Sequence, residues 1–134
     1  MFALTMGAGQ TLGMPDTCLT PTPAGPVPVP YPNIAMSSMC PGAAMTTLMG
    51  GTPTVNQSAS LALSSGDEVG AGTGVVSHLI KGPNCWILGS VGLIVGGTPC
   101  MRLTSTGGCN AMGMTPNGMS TCVVPSQGFV TVLR

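Results

Sequence analysis

Charge is what this chain lacks most. Only 4% of its 134 residues are charged, three basic and three acidic with a formal net charge of zero, whereas an ordinary soluble domain carries about 25%. So few charges solvate a free surface poorly, and much of the exterior is expected to dock on something. The same shortage excludes a nucleic-acid partner, because Lys81, Arg102 and Arg134 are too few and too scattered to neutralise a row of phosphates.

Aromatic residues make up only 3%, so the core must be assembled from Val, Ile, Leu, Met, Ala and Thr. No window sustains a helical period. With Gly at 21 positions and Pro at 13, the expected fold is all-β, with short strands joined by Gly and Pro turns and little or no helix. The length allows one domain over residues 1–134 with a modest core. A 43% apolar content argues against disorder, since disordered chains are charged and poor in apolar residues.

Catalytic signatures are missing as well. There is no Gly-x-Ser-x-Gly elbow, phosphate loop or His-Glu-x-x-His. His78 is the one histidine, and it falls in the apolar run 75–80, read as a strand that packs or exposes an ordinary imidazole. Asp67 and Glu68 precede Gly70, Gly72 and Gly74 and read as a solvated loop. No enzyme is expected. The cysteines at 18, 40, 85, 100, 109 and 122 form no Cys-x-x-Cys pair, so buried free thiols are expected and no cofactor. A zinc site, if built, would draw on distant loops such as those of Cys18, Cys109 and Cys122.

The first ten residues carry no basic n-region and no apolar core of signal-peptide length, so synthesis in the cytosol without a signal peptide is expected. Between Lys81 and Arg102 the chain is uncharged for a transmembrane length, but its apolar heart, 85–95, is too short to span. Gly89, Gly92, Gly96, Gly97 and Pro99 punctuate it, and strands are expected rather than a membrane span.

What is present centres on residues 14–38. Prolines at 21, 23, 26, 28, 30 and 32 each fix φ and remove a backbone donor, so the segment is neither helix nor central strand. Residues 24–33 are expected to run as a stiff ribbon, with Pro26, Pro28, Pro30, Tyr31, Pro32 and Asn33 in its rigid part. Val27, Val29, Tyr31 and Ile34 give it an apolar side. Basic flanks that would mark a ligand for proline-reading domains are absent.

A hairpin is written twice. Leu48-Met49-Gly50-Gly51-Thr52-Pro53 recurs 46 residues later as Ile94-Val95-Gly96-Gly97-Thr98-Pro99. In each, an apolar strand meets a Gly-Gly turn that permits positive φ, and Thr-Pro starts the return. Residues 112–118 echo the turn without the flanking strand. Further strands are expected at 2–6, 43–49, 122–124 and 129–133, the last two around a turn at 125–128.

Pro15-Asp16-Thr17-Cys18-Leu19-Thr20-Pro21, the run 25–35 (GPVPVPYPNIA), Gly50-Gly51, Ser65-Gly66-Asp67-Glu68, Gly96-Gly97-Thr98-Pro99 with Arg102-Leu103-Thr104-Ser105, and Val124-Pro125-Ser126-Gln127 together resemble the PAAR-like tip proteins of type VI secretion systems. The resemblance covers nearly the whole chain in order. It implies a small conical β-domain with approximate threefold shape that caps the VgrG spike trimer, one tip per trimer, and helps deliver an effector, with a dedicated chaperone as a further partner. It further implies residence in the cytoplasm before firing and export by the injection apparatus. Better-known PAAR proteins hold zinc through several histidines and a cysteine. This chain has one histidine, and Cys18 and Cys109 alone do not close a tetrahedral site, so tip rigidity is expected from packing and proline stiffness. The alternative is a soluble adaptor that loads a toxin onto the spike, and a weaker third reading is a small metal-dependent or hydrolytic effector.

Overall fold

The computed structural model describes residues 1–113 and 115–133. The proline-rich segment forms one arm of a long antiparallel hairpin, β1 (Gln10–Thr22) with β2 (Gly25–Met36). The strands pair from Gln10↔Met36 to Thr22↔Gly25, with one irregularity between Gly13 and Asp16. Prolines 26, 28, 30 and 32 recur every second residue, so all four missing donors fall on the same edge, leaving Val27, Val29 and Tyr31 to face β1. That edge has no partner strand until the prolines stop. Beyond them Ile34 and Ala35 pair with β6, so the expectation that the segment is not a central strand holds along the prolines and ends with them.

After a 3-10 turn at Ser37–Met39 come β3 (Ala44–Met49), β4 (Thr52–Thr54), β5 (Ser60–Leu61), β6 (Ser64–Ser65), β7 (Asn84–Leu88), β8 (Ser90–Val95), β9 (Thr98–Cys100), β10 (Thr106–Cys109) and β11 (Gly118–Val124). Seven of them form one sheet in the order β5-β7-β10-β11-β1-β2-β6. Its two edge strands, β5 and β6, are consecutive and only two residues apart, which draws the edges together into a nearly closed barrel. Among the described residues no helix is long and apolar enough to cross a membrane, and the uncharged run between Lys81 and Arg102 holds β7, β8 and β9.

The repeated hairpins are β3–β4 and β8–β9, and they match residue for residue. Leu48↔Pro53, Met49↔Thr52 and Ala44↔Thr54 in the first correspond to Ile94↔Pro99, Val95↔Thr98 and Ser90↔Cys100 in the second. The turn glycines agree too: Gly50 and Gly51 have φ of 60° and 81°, Gly96 and Gly97 of 60° and 84°. The weaker echo closes as a bridge between Met112 and Thr115, with Gly113 at φ 65°; its Met114 lies outside the described residues.

Three expected strands are not strands. Residues 75–80 form turns: Gly74 N–H donates to Leu79 O, His78 N–H to Gly74 O, and Asn117 Oδ1 accepts from Val76 N–H at 2.8 Å. The β-branched run loses its extended geometry because these local acceptors capture its donors, and His78 sits exposed at a left-handed φ of 57°. Residues 129–133 pair only through Phe2↔Thr131. Likewise 2–6 is no sheet strand but part of a ring.

That ring is the second organising feature. Segments 3–5, 54–56 and 100–102 close a triangle in which Thr5 faces Thr54, Asn56 faces Cys100 and Arg102 faces Ala3. Leu4 N–H donates to Met101 O at 2.8 Å, Met101 N–H to Val55 O at 2.9 Å, and Val55 N–H to Leu4 O at 2.9 Å. A second round follows the same rule, from Met6 N–H to Pro53 O, Gln57 N–H to Pro99 O and Leu103 N–H to Phe2 O, each 2.8 Å. Every backbone donor in the pattern finds a threefold-related acceptor, so three unlike segments satisfy one another without a sheet. Leu4, Val55 and Met101 are fully buried at its centre, in the main apolar cluster with Ala35, Cys40, Leu61, Trp86 and Cys122.

Each segment carries an arm. β3–β4 leads into 54–56 and β8–β9 into 100–102. In the third arm Met1 and Val132 exchange backbone hydrogen bonds of 3.0 and 2.6 Å, standing where Met49 and Thr52, or Val95 and Thr98, stand in the others. Met49, Val95 and Val132, one from each arm, meet in a second apolar cluster with Ala3 and Cys100.

Candidate functional site

Two places concentrate structure beyond what a plain β-fold requires. The first is the threefold end. Its arms expose Leu48, Ile94, Phe129 and Leu133, the last two 86% and 90% exposed. Gln127 fixes the third arm through its side-chain amide, which donates to Ala3 O and Val130 O and accepts from Phe129 N–H and Val130 N–H at 2.7–2.9 Å. Ser126 Oγ receives Thr5 N–H at 2.7 Å, tying the turn 125–128 to the ring. Gly50, Gly51, Gly96 and Gly97 form the outermost turns here, and Pro53 and Pro99 follow on the return strands.

The second lies along the hairpin, where Asp16 and Cys18 on β1 meet Asp67 from the loop after β6. All three are fully buried. One ligand atom from each lies within 4.8 Å of the others; Cys18 Sγ is 3.8 Å from Asp16 Oδ1 and 4.0 Å from Asp67 Oδ2. Three asparagines surround them. Asn33 Nδ2 donates to Asp16 Oδ2 at 2.5 Å, Asn110 Nδ2 donates to both Asp16 Oδ2 and Asp67 Oδ2 at 2.6 and 2.5 Å, and Asn117 Nδ2 donates to Asp16 Oδ1. Asn110 is held by Gly82 N–H on its Oδ1 and adopts a left-handed φ of 47°. Lys81 N–H reaches both oxygens of Asp67 at 3.2–3.3 Å. Gly70 packs so closely on Cys18 that a Cβ there would strike the Cys18 Cβ.

Burial, then the Asp16 and Asp67 carboxylates, pushes the Cys18 thiol up to about 12. Cys109 is pushed up to about 12 by burial and then by Asp16, and its Sγ donates to Gly118 O at 3.3 Å. Cys122 sits in the main apolar cluster, its thiol raised to about 11 by burial. The three cysteines named from the sequence therefore do not converge: Cys18 joins two carboxylates, Cys109 flanks Asp16, and Cys122 is core. All six cysteines are free. Asp67 corrects the solvated-loop reading, since only its neighbour Glu68 is exposed. Glu68 accepts from Ser65 Oγ and Gly66 N–H at 2.6 and 2.8 Å, which hold its carboxyl down to about 2, and Lys81 Nζ lies 3.4 Å away. In the ribbon, Tyr31 shares a 2.6 Å hydrogen bond with Thr20 and Asn33 points at Asp16; Pro26, Pro28, Pro30 and Pro32 line its open edge.

The model of the Toxin PAAR-like domain matches residues 9–124, from the start of β1 to the end of β11. The chain belongs to this family. Among curated proteins and among solved structures, none matches. The match takes in Asp16, Cys18, Asn33, Asp67, Asn110 and Asn117, both Gly-Gly arms and two of the three ring segments. Of the segments outside it, 1–8 and 125–133 supply the third arm of this PAAR-like domain.

Proposed function

We propose that this PAAR-like domain is a non-enzymatic structural tip that caps the VgrG trimer of a type VI secretion apparatus and helps carry effectors. The observation that carries the reading is the threefold backbone ring with three equivalent arms. Two of the arms repeat one sequence, but the third matches them with segments that share none of it, and a threefold face is what one copy needs to meet a trimer on its axis. Exposed apolar residues on those arms supply surface to bury, and the shortage of charge removes the cost of desolvating ions there. The long hairpin runs away from the ring for roughly 40 Å at about 3.3 Å per residue, stiffened by prolines, which suits the leading point of a needle.

Native mass spectrometry of the purified chain mixed with a VgrG trimer tests this. One copy per trimer is expected. Absence of a complex with both partners folded overturns the reading and transfers the search to toxins, as an adaptor would require.

A further inference from the structure

We propose that the threefold end of the free chain binds a second copy of the chain, the Phe129 ring of each copy entering a groove beside Gly92 of the other. The proposal starts from the place where the three arms stop matching. Leu48, Ile94 and Thr131 are equivalent, since they pair with Pro53, Pro99 and Phe2. Two residues earlier on the same strands stand Thr46, Gly92 and Phe129. One position of the threefold pattern therefore carries a small side chain, none and a large one.

The seams between the arms differ accordingly. Where the turn of the first arm meets the third, a Cβ on Gly50 would lie 3.3 Å from Gln127 and 3.5 Å from the Phe129 ring. Where the turn of the second meets the first, a Cβ on Gly96 would lie 3.9 Å from Ala44, the equivalent of Gln127. At the remaining seam Leu133 takes the place of Gly50 and Gly96 and meets the second arm at Gly92. Here a groove of about 520 Å³ opens, lined by Gly92, Leu93, Thr131, Val132 and Leu133. The first seam shows what the groove lacks: a large apolar side chain at the position where β8 has only a glycine.

A second copy supplies that side chain. Phe129 is 86% exposed despite its contact at Gly50, and a covered aromatic ring dominates interface energetics. Symmetry makes the fit reciprocal. Phe129 and the groove flank the third arm on opposite sides, one at its seam with the first arm and one at its seam with the second. A twofold axis through the third arm, perpendicular to the threefold axis, exchanges the two seams. Two copies placed end to end thus bring each Phe129 over the other's groove at once, as an isologous dimer requires. No charge opposes the contact, because residues 1–3, 44–54, 90–100 and 126–133 contain no charged side chain. Leu48, Ile94 and Leu133, exposed on the same end, are covered with it. The dimer hides the face that meets a trimer in the tip reading, so the two states exclude each other.

Sedimentation equilibrium of the full chain alone, under reducing conditions and over a range of concentrations, tests this without any spike protein. A monomer–dimer equilibrium is expected. Phe129→Ser removes the ring and Gly92→Phe fills the groove from within, and each should weaken dimerisation at least about 10-fold. Mixing the two variants restores one of the two insertions, so the mixture should dimerise more tightly than either variant alone. Val69→Ser, which removes an equally apolar surface residue from the loop after β6, should leave the dimer unchanged. Should circular dichroism show Gly92→Phe unfolded, the exposed Phe129→Ser decides. A chain that is monomeric at every concentration, association that persists in Phe129→Ser, or equal weakening in Val69→Ser overturns the proposal and leaves the tip reading to its own test.

Discussion

Asn110 joins two buried carboxylates with one amide and takes Gly82 N–H on its other atom. Asn110→Ala takes one hydrogen bond from each carboxylate, which keep Asn33 Nδ2 and Lys81 N–H, and leaves the buried Gly82 N–H without a partner; a loss of about 1–3 kcal/mol in denaturant unfolding is expected. Glu68 makes a different prediction. Its carboxyl falls from 4.5 to about 2 on folding, so its contribution is present above pH 4.5 and lost as the pH drops towards 2. Melting curves of wild type and Glu68→Gln should therefore differ at pH 6 and converge at pH 2. The polar cluster was only half legible. Cys18 was named because thiols are recognised by type, but Asp67 beside Glu68 in a Gly-rich loop looks like any solvated turn. Asn110 and Asn117 carry no pattern at all, because they reach Asp16 from 94 and 101 residues away. The signal available was scarcity: in a chain with three acids, an aspartate two residues from a cysteine on an extended segment is already unusual.

At the level of elements, the prolines of β2 and the Gly-Gly turns were legible because each acts through its own backbone. Prolines at every second residue remove donors from one edge of β2, which blunts that edge against pairing with another chain. Pro28→Ala restores a donor there. A stability loss within about 1 kcal/mol is expected, together with a rise in concentration-dependent self-association seen by light scattering. The Gly-Gly turns demand φ near 60–84°. Gly50→Val and Gly96→Val should each cost about 1–2 kcal/mol, and the two costs should match, since the hairpins share register. Residues 75–80 were misread as a strand for the opposite reason: β-branched composition is local, while the Asn117 side chain that folds them is not.

The ring belongs to the whole molecule: the repeat at 48–53 and 94–99 marked two of the arms that lead into it, but nothing marked the ring segments themselves. Its segments are three residues long, share no motif, and are brought together by hydrogen bonds between backbones that any side chain permits. Its equivalence is nonetheless testable. Joining the chain ends with a short Gly linker and opening the chain between Gly96 and Gly97 exchanges a closed arm for an open one, and the permutant should fold with a melting temperature close to that of the parent. A loss of folding would mean that the arms are not interchangeable.

A body with three matching arms also has three settings in which to meet any threefold partner. That multiplicity alone favours association by about 0.65 kcal/mol, the worth of any factor of three. Exposed side chains that differ between the arms, such as Leu48, Ile94 and Phe129, then decide whether one rotation is chosen or all three are occupied. A pointed object built this way need not be aimed about its own axis.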